Sequence, residues 1–119
     1  MVRKLSFILV WATVAALCWG CDTQIRKSDA ELGLNPQQAS GRHVFDRYCA
    51  TCHEAYRSRA FRGPSLEGVF KKPFMPSGTP ANDDRVGEVI SLGRSKMPAF
   101  GRVLNQQQTN DLLAYLHTL

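Results

Sequence analysis

The sequence predicts an all-α domain of three main helices joined by long loops. Three observations support this. Asparagines stand ahead of three stretches whose apolar residues recur at helical spacing. No stretch alternates convincingly as a strand. Between the first and second helices lies a proline- and glycine-rich segment, too long for an unstructured loop in a compact domain unless something large packs inside it.

The first helix starts at Asn35-Pro36-Gln37-Gln38, with Asn as N-cap, Pro at the first helical position and Gln at the third. Gly41, Val44, Phe45, Tyr48 and Cys52 follow at helical spacing, so the helix is expected to run into the cysteines at its end. From Glu54 to about Ala81, Pro64, Pro73, Pro76 and Pro80, with Gly63, Gly68 and Gly78, break regular structure. Asn82 or Asp83 caps the second helix, which carries Val86, Val89 and Ile90 and ends near Gly93. The third starts at Asn105 with Gln108 as its capping-box partner. Leu112, Tyr115, Leu116 and Leu119 form its apolar face. There is no internal repeat.

The chain has 119 residues, enough for one small domain. Arg3 and Lys4 precede an uncharged run from Leu5 to Leu17, short of the roughly 20 residues that span a bilayer. Residues 1–20 therefore read as a secretory signal, with an uncleaved anchor as the alternative. Either places the rest outside the cytoplasm, in the periplasm of a bacterium. Removing the signal takes away Arg3 and Lys4 and no acid, so the formal charge falls from +5 to +3. That mild balance, without basic-aromatic interleaving, does not point to nucleic acid. Residues 21–34 are mostly polar and read as a tether, leaving 35–119 as the folded domain.

Cys49-Ala50-Thr51-Cys52-His53 is the most informative stretch. Two thiols three positions apart, followed directly by an imidazole, form the attachment signature of a c-type haem. Each thiol adds to one vinyl group of the porphyrin, and His53 becomes the proximal ligand. A structural zinc site needs four ligands, usually from two such pairs, and only one is present. A thioredoxin-like motif needs a βαβ setting, which is lacking. One covalently attached haem c, held through Cys49 and Cys52, also supplies the large group that the long loop requires.

The chain contains four cysteines. Cys18 lies in the signal and Cys49 and Cys52 are taken by haem, which leaves Cys21. Gly20-Cys21 resembles the end of a bacterial lipoprotein signal, whose cysteine becomes the acylated N-terminus. Cys18 and Trp19 depart from that pattern, and ordinary cleavage leaving Cys21 free stays open. Lipidation of Cys21 accounts for the spare thiol and would hold the domain at a membrane.

A haem iron with one histidine needs a second axial ligand or stays open to small molecules. Met97 lies in Lys96-Met97-Pro98-Ala99-Phe100-Gly101, between the second and third helices. Pro98 stiffens the chain there, and Gly93 and Gly101 let it bend over a flat ring. Met97 is the expected distal ligand, with His53 and Met97 together holding the metal. Met75 is the rival. His43 reads as solvated surface, and His117 as an imidazole suited to the end of the last helix.

With these residues in place, positions 35–119 resemble a small class I cytochrome c, the monohaem type with histidine and methionine ligands. The likeness covers the whole domain. Gly41 and Phe45 stand where that family packs its first helix against an aromatic of the last, here Tyr115. Gly63-Pro64-Ser65-Leu66 matches the segment after the haem motif, and the resemblance implies that the Pro64 carbonyl accepts a hydrogen bond from His53. Met97-Pro98-Ala99-Phe100 matches the distal loop. Unlike mitochondrial relatives, the mature chain has no tryptophan, so Arg62, Arg94 and Lys96 become the candidates for propionate contacts.

The resemblance implies a cytochrome c-like fold wrapped around the haem, and a one-electron carrier rather than an independent catalyst. No catalytic triad, acid pair or phosphate loop is visible. Phe45, Leu66, Val69, Phe70, Ile90, Phe100 and Leu104 are the candidate haem pocket. Arg57, Arg59, Arg62, Lys71, Lys72, Arg94 and Lys96 fall in loops expected to surround it, which suits a monomer that docks on redox partners with acidic surfaces. An electron-relay subunit of a larger respiratory dehydrogenase or oxidase complex is the first alternative. A ligand-binding haem sensor is the second.

Overall fold

A computed structural model describes residues 27–119. Three asparagines set its helices. Asn35 opens α1 (Pro36–Tyr48), Asn82 opens α2 (Asp83–Leu92) and Asn105 opens α3 (Gln106–Leu116). Each has an extended backbone, and its side-chain oxygen accepts from the third helical N–H: Gln38 at 2.9 Å, Arg85 at 3.0 Å and Gln108 at 2.8 Å. Gln38 and Gln108 reach back to the cap N–H, both at 2.9 Å, completing capping boxes. At α2 the third residue is Arg85, and Asp83 and Asp84 complement the helix dipole instead.

The helix ends follow from equally local chemistry. α2 stops at Gly93, whose φ of +73° only glycine adopts without penalty. α1 ends earlier than its apolar spacing suggests. It stops at Tyr48, and Cys49 is its C-cap. The Cys49 carbonyl then accepts from both Cys52 (3.0 Å) and His53 (2.9 Å), which turns the chain out of the helix line. The motif is thus a tight turn after the helix, not its last stretch, because two N–H groups compete for one carbonyl.

α1 and α3 form the main packing contact. They cross at Gly41, where an added Cβ would fall inside the Asp111 carbonyl and 2.8 Å from the Tyr115 Cβ. The close approach seats Phe45 against Tyr115, with ring centroids 5.5 Å apart. Around them lie Val44, Val69, Val86, Ile90, Leu104, Leu112, Leu116 and Leu119, all buried. The Tyr115 hydroxyl meets that of Tyr56 at 2.7 Å, so its burial leaves no unpaired polar atom.

The segment between α1 and α2 contains one 3-10 turn, Val69–Lys71, entered through Gly68 at φ +62°. It also contains a short loop closed by Met75 N–H to the Thr79 carbonyl (2.8 Å). Two isolated bridges are the only extended pairing among the described residues. Upstream of α1, Leu34 packs on the core, and Asp29 pairs at 2.9 Å with the buried Arg42 guanidinium. The end of the expected tether therefore lies against α1. The expected signal, Cys21 and residues 22–26 lie outside the described residues. Among the described residues, no helix is long and apolar enough to cross a membrane.

Candidate functional site

The C-cap geometry of α1 puts Cys49 in a buried position and Cys52 in a half-buried one, with both thiols free. Burial, reinforced by the neighbouring Cys52, pushes the Cys49 thiol up to about 11. A thiol used for disulfide exchange is held in the opposite direction, toward the thiolate. The described residues also contain no group of three or more histidine, cysteine or acidic side chains able to hold a metal ion. Neither the thioredoxin-like nor the zinc reading of the cysteine pair finds support in this setting.

The turn after Cys49 carries His53 toward the loop at 61–66. His53 Nδ1 lies 2.8 Å from the Pro64 carbonyl oxygen. A carbonyl only accepts, so Nδ1 is the donor, and in the neutral ring Nε2 is the nitrogen with the lone pair. That is the tautomer a metal-ligating imidazole needs, with its ring orientation fixed by the second nitrogen. The loop is tied to the motif by Gly63 N–H to the Cys52 carbonyl (2.8 Å) and Leu66 N–H to the Glu54 carbonyl (2.9 Å).

Gly63 has a role that its place in the sequence does not reveal. A Cβ there would sit 2.6 Å from His53 Cε1 and 3.0 Å from Nδ1. The imidazole occupies the space a side chain would take. The only local signal is that Gly63 directly precedes the proline that supplies the carbonyl.

Met97 is half-buried against the core, in a loop clasped at both ends. Arg94 and Met97 exchange backbone hydrogen bonds at 3.1 and 2.8 Å, and Phe100 and Gly101 donate to the Ile90 and Ser91 carbonyls at 3.0 Å each. Gly93 closes the clasp, since a Cβ there would lie 2.6 Å from the Met97 carbonyl oxygen. The Phe100 ring meets Tyr48 edge-on, with centroids 6.1 Å apart. Met75 is half-buried against the same core. The two remaining histidines face other partners. The His43 side chain is 79% exposed, 4.0 Å from Asp29. His117 meets Asp83 at 2.6 Å and stacks on Phe70 at 3.8 Å.

Of the candidate pocket residues, Phe45, Val69, Ile90 and Leu104 are buried, while Leu66, Phe70 and Phe100 are half-buried. These partly open apolar side chains, the two free thiols and the available Nε2 together fit a flat, apolar, iron-bearing macrocycle.

Over residues 36–116 the sequence matches the protein family described as "Cytochrome C oxidase, cbb3-type, subunit III". The chain belongs to this cytochrome c family. It is also similar to a "Cytochrome c-553-like" protein of Synechocystis sp. (strain ATCC 27184 / PCC 6803 / Kazusa), with 33% identity over 88 residues, covering 74% of each chain. As a cytochrome c, the chain has the all-α fold of that family and a role in haem-based electron transfer. The family implies covalently bound haem c, and Cys49, Cys52 and His53 stand at the required spacing. Cytochromes c act with redox partners, typically outside the cytoplasm.

Proposed function

We propose that this cytochrome c is a monomeric periplasmic one-electron carrier, with a single haem c bound through Cys49 and Cys52. His53 serves as proximal ligand through Nε2 and Met97 as distal ligand through its thioether. Pro64 positions His53, and an acylated Cys21 tethers the domain to a membrane. The observation that carries the reading is the 2.8 Å contact between His53 Nδ1 and the Pro64 carbonyl, which leaves Nε2 available for iron. Met97 is preferred to Met75 for its place between α2 and α3 in Met97-Pro98-Ala99-Phe100, the segment that resembles the distal loop of the family. When bound, the haem supplies one-electron redox chemistry that no side chain provides. The chain's own task is to hold both axial donors still and to keep water off the apolar face. A thioether ligand and an apolar surround both favour the ferrous state.

The visible spectrum and mass of the mature holoprotein test the reading. One haem by mass and a thioether-to-ferric-iron band are expected, with acyl mass on a chain beginning at Cys21. Met97→Ala should abolish that band and let the ferrous protein bind carbon monoxide rapidly. If Met75→Ala does this while Met97→Ala does not, the distal assignment is wrong. Rapid carbon monoxide binding by the unaltered protein would favour a ligand-binding sensor.

A second reading rests on the family description, which names an oxidase subunit. Here the domain relays electrons inside a larger respiratory complex. Stable co-purification with that complex, rather than release of the free cytochrome, would favour it.

A further inference from the structure

We infer that the loop at 57–62 is the docking point for redox partners, with Phe61 as an apolar anchor between Arg59 and Arg62, and that it receives an acidic protein surface with an apolar recess. The inference rests on the electron-carrier reading and locates the partner contact within it.

Phe61 is 58% exposed. A single exposed aromatic is ordinary, but this one has three further properties. It is flanked by basic side chains, with the Arg62 guanidinium 5.4 Å from its ring centroid and the Arg59 side chain 71% exposed. Its backbone is pinned, since Phe61 N–H donates to the Gly63 carbonyl at 3.1 Å and Ser65 Oγ donates to the Arg57 carbonyl. The side chain is therefore presented from a pre-formed loop, with little entropy to lose on binding. Finally, the loop joins the haem-attachment turn directly, through Gly63 N–H to the Cys52 carbonyl at 2.8 Å. A partner seated on Phe61 lies beside the segment that carries the thioethers.

Aromatic and arginine side chains are the types that dominate binding energy at the centre of an interface. Arg59 and Arg62 flank Phe61 in the sequence, and Glu54 lies 3.8 Å from Arg59. The local field is positive, so an acidic partner is steered to it. Lys71 and Lys72 lie near Phe74, which is equally exposed at 58% and bridged to Pro80. What sets Phe61 apart is the hydrogen bond that ties its loop to the haem-attachment turn; Lys71, Lys72, Arg94 and Lys96 add to the long-range field.

The test uses the mature holoprotein with a small acidic flavodoxin in its hydroquinone form as the one-electron donor. Each encounter passes one electron from the flavin to ferric iron. Stopped-flow gives the second-order rate against ionic strength. Oxidised flavodoxin, which transfers nothing, is titrated separately to map amide chemical shifts. The wild-type rate should fall steeply with salt, with shifts centred on residues 57–66. Arg59→Gln with Arg62→Gln should lower the low-salt rate about tenfold and flatten the salt slope. Phe61→Ala should lower the rate about tenfold at every salt concentration, because apolar contact is not screened. Leu92→Ala removes a side chain that is 71% exposed on α2 and should leave the rate within about twofold of wild type, as an ordinary surface change does. Unchanged visible spectra in all variants would show that the haem site is intact.

Wild-type rates in the Phe61 and arginine variants, with the loss appearing instead in Lys71→Gln/Lys72→Gln, would overturn the inference. So would binding of this loop to phosphatidylglycerol vesicles with no response to flavodoxin. If shifts move at 57–66 but the haem is never reduced, the docking site stands and the electron-carrier reading fails.

Discussion

Adding one methyl group at Gly63 tests the proximal side of the site most directly. The new Cβ would lie 2.6 Å from His53 Cε1. Ordinary carbon contacts start near 3.5 Å, so the imidazole must retreat by about 0.9 Å. The hydrogen bond from Nδ1 to the Pro64 carbonyl begins at 2.8 Å. A retreat of that size along the bond takes it beyond about 3.6 Å, where no hydrogen bond remains. Overpacking costs about 1–3 kcal/mol and the lost bond about 1 kcal/mol, a total of about 2–4 kcal/mol. At about 4–8 °C per kcal/mol for a domain this small, Gly63→Ala should lower the melting temperature by at least about 8 °C. If His53 ligates iron as proposed, the imidazole would also become less basic and donate less to the ferric state, so the reduction potential should rise. The assays are thermal melting of the holoprotein, the proton resonance of the His53 Nδ1–H, and potentiometry. Pro64→Ala is the control, because it keeps the carbonyl and should keep the resonance. A Gly63→Ala protein that retains the resonance and melts within about 2 °C of wild type, a shift worth well under 1 kcal/mol, would refute the steric argument.

Two further outcomes follow from the α1–α3 contact. At Gly41 the atoms in the way of a Cβ are backbone as well as side chain. Gly41→Ala should therefore cost at least about 3 kcal/mol, despite alanine's better helix propensity, and sharply reduce the yield of holoprotein. Holoprotein of normal yield and melting temperature would contradict the crossing geometry. At Tyr115, burial and then the Tyr56 hydrogen bond raise the phenol pKa above its ordinary value of 10.0. Below that value both folded and unfolded chains hold the proton, so there is no pH dependence from this group. Above it the unfolded chain releases the proton and the folded one keeps it, so stability falls as pH rises, by up to about 1.4 kcal/mol per pH unit. Tyr115→Phe should lose about 1 kcal/mol at neutral pH and show a shallower decline above pH 10 in denaturant titrations. An equally steep decline in the variant would show that Tyr115 is not the group responsible.

Local chemistry was legible in the sequence wherever neighbours in the chain decide the outcome. Asn35 and Asn105 with their glutamines, Pro36, Gly93 and the Cys49–His53 spacing each act within a few residues. The end of α1 was less legible. Val44, Phe45 and Tyr48 keep helical spacing with Cys52, and only the doubly accepting Cys49 carbonyl breaks it. The apolar faces of α2 and α3 were readable as periodicity, but which face meets which was not.

Composition and spacing alone determined that the chain forms three capped helices and bears a haem-attachment pentapeptide, because caps, turns and thiol spacing are short-range properties. Only the tertiary structure decided that Nδ1 is the nitrogen of His53 that meets the Pro64 carbonyl, that Gly63 must be bare, and that Gly41 lies against Asp111. It alone paired Tyr56 with Tyr115 and Arg42 with Asp29. These contacts join residues about 10 to 70 positions apart, so no local period encodes them, and they arise only when burial brings distant groups together and requires each polar atom to find a partner.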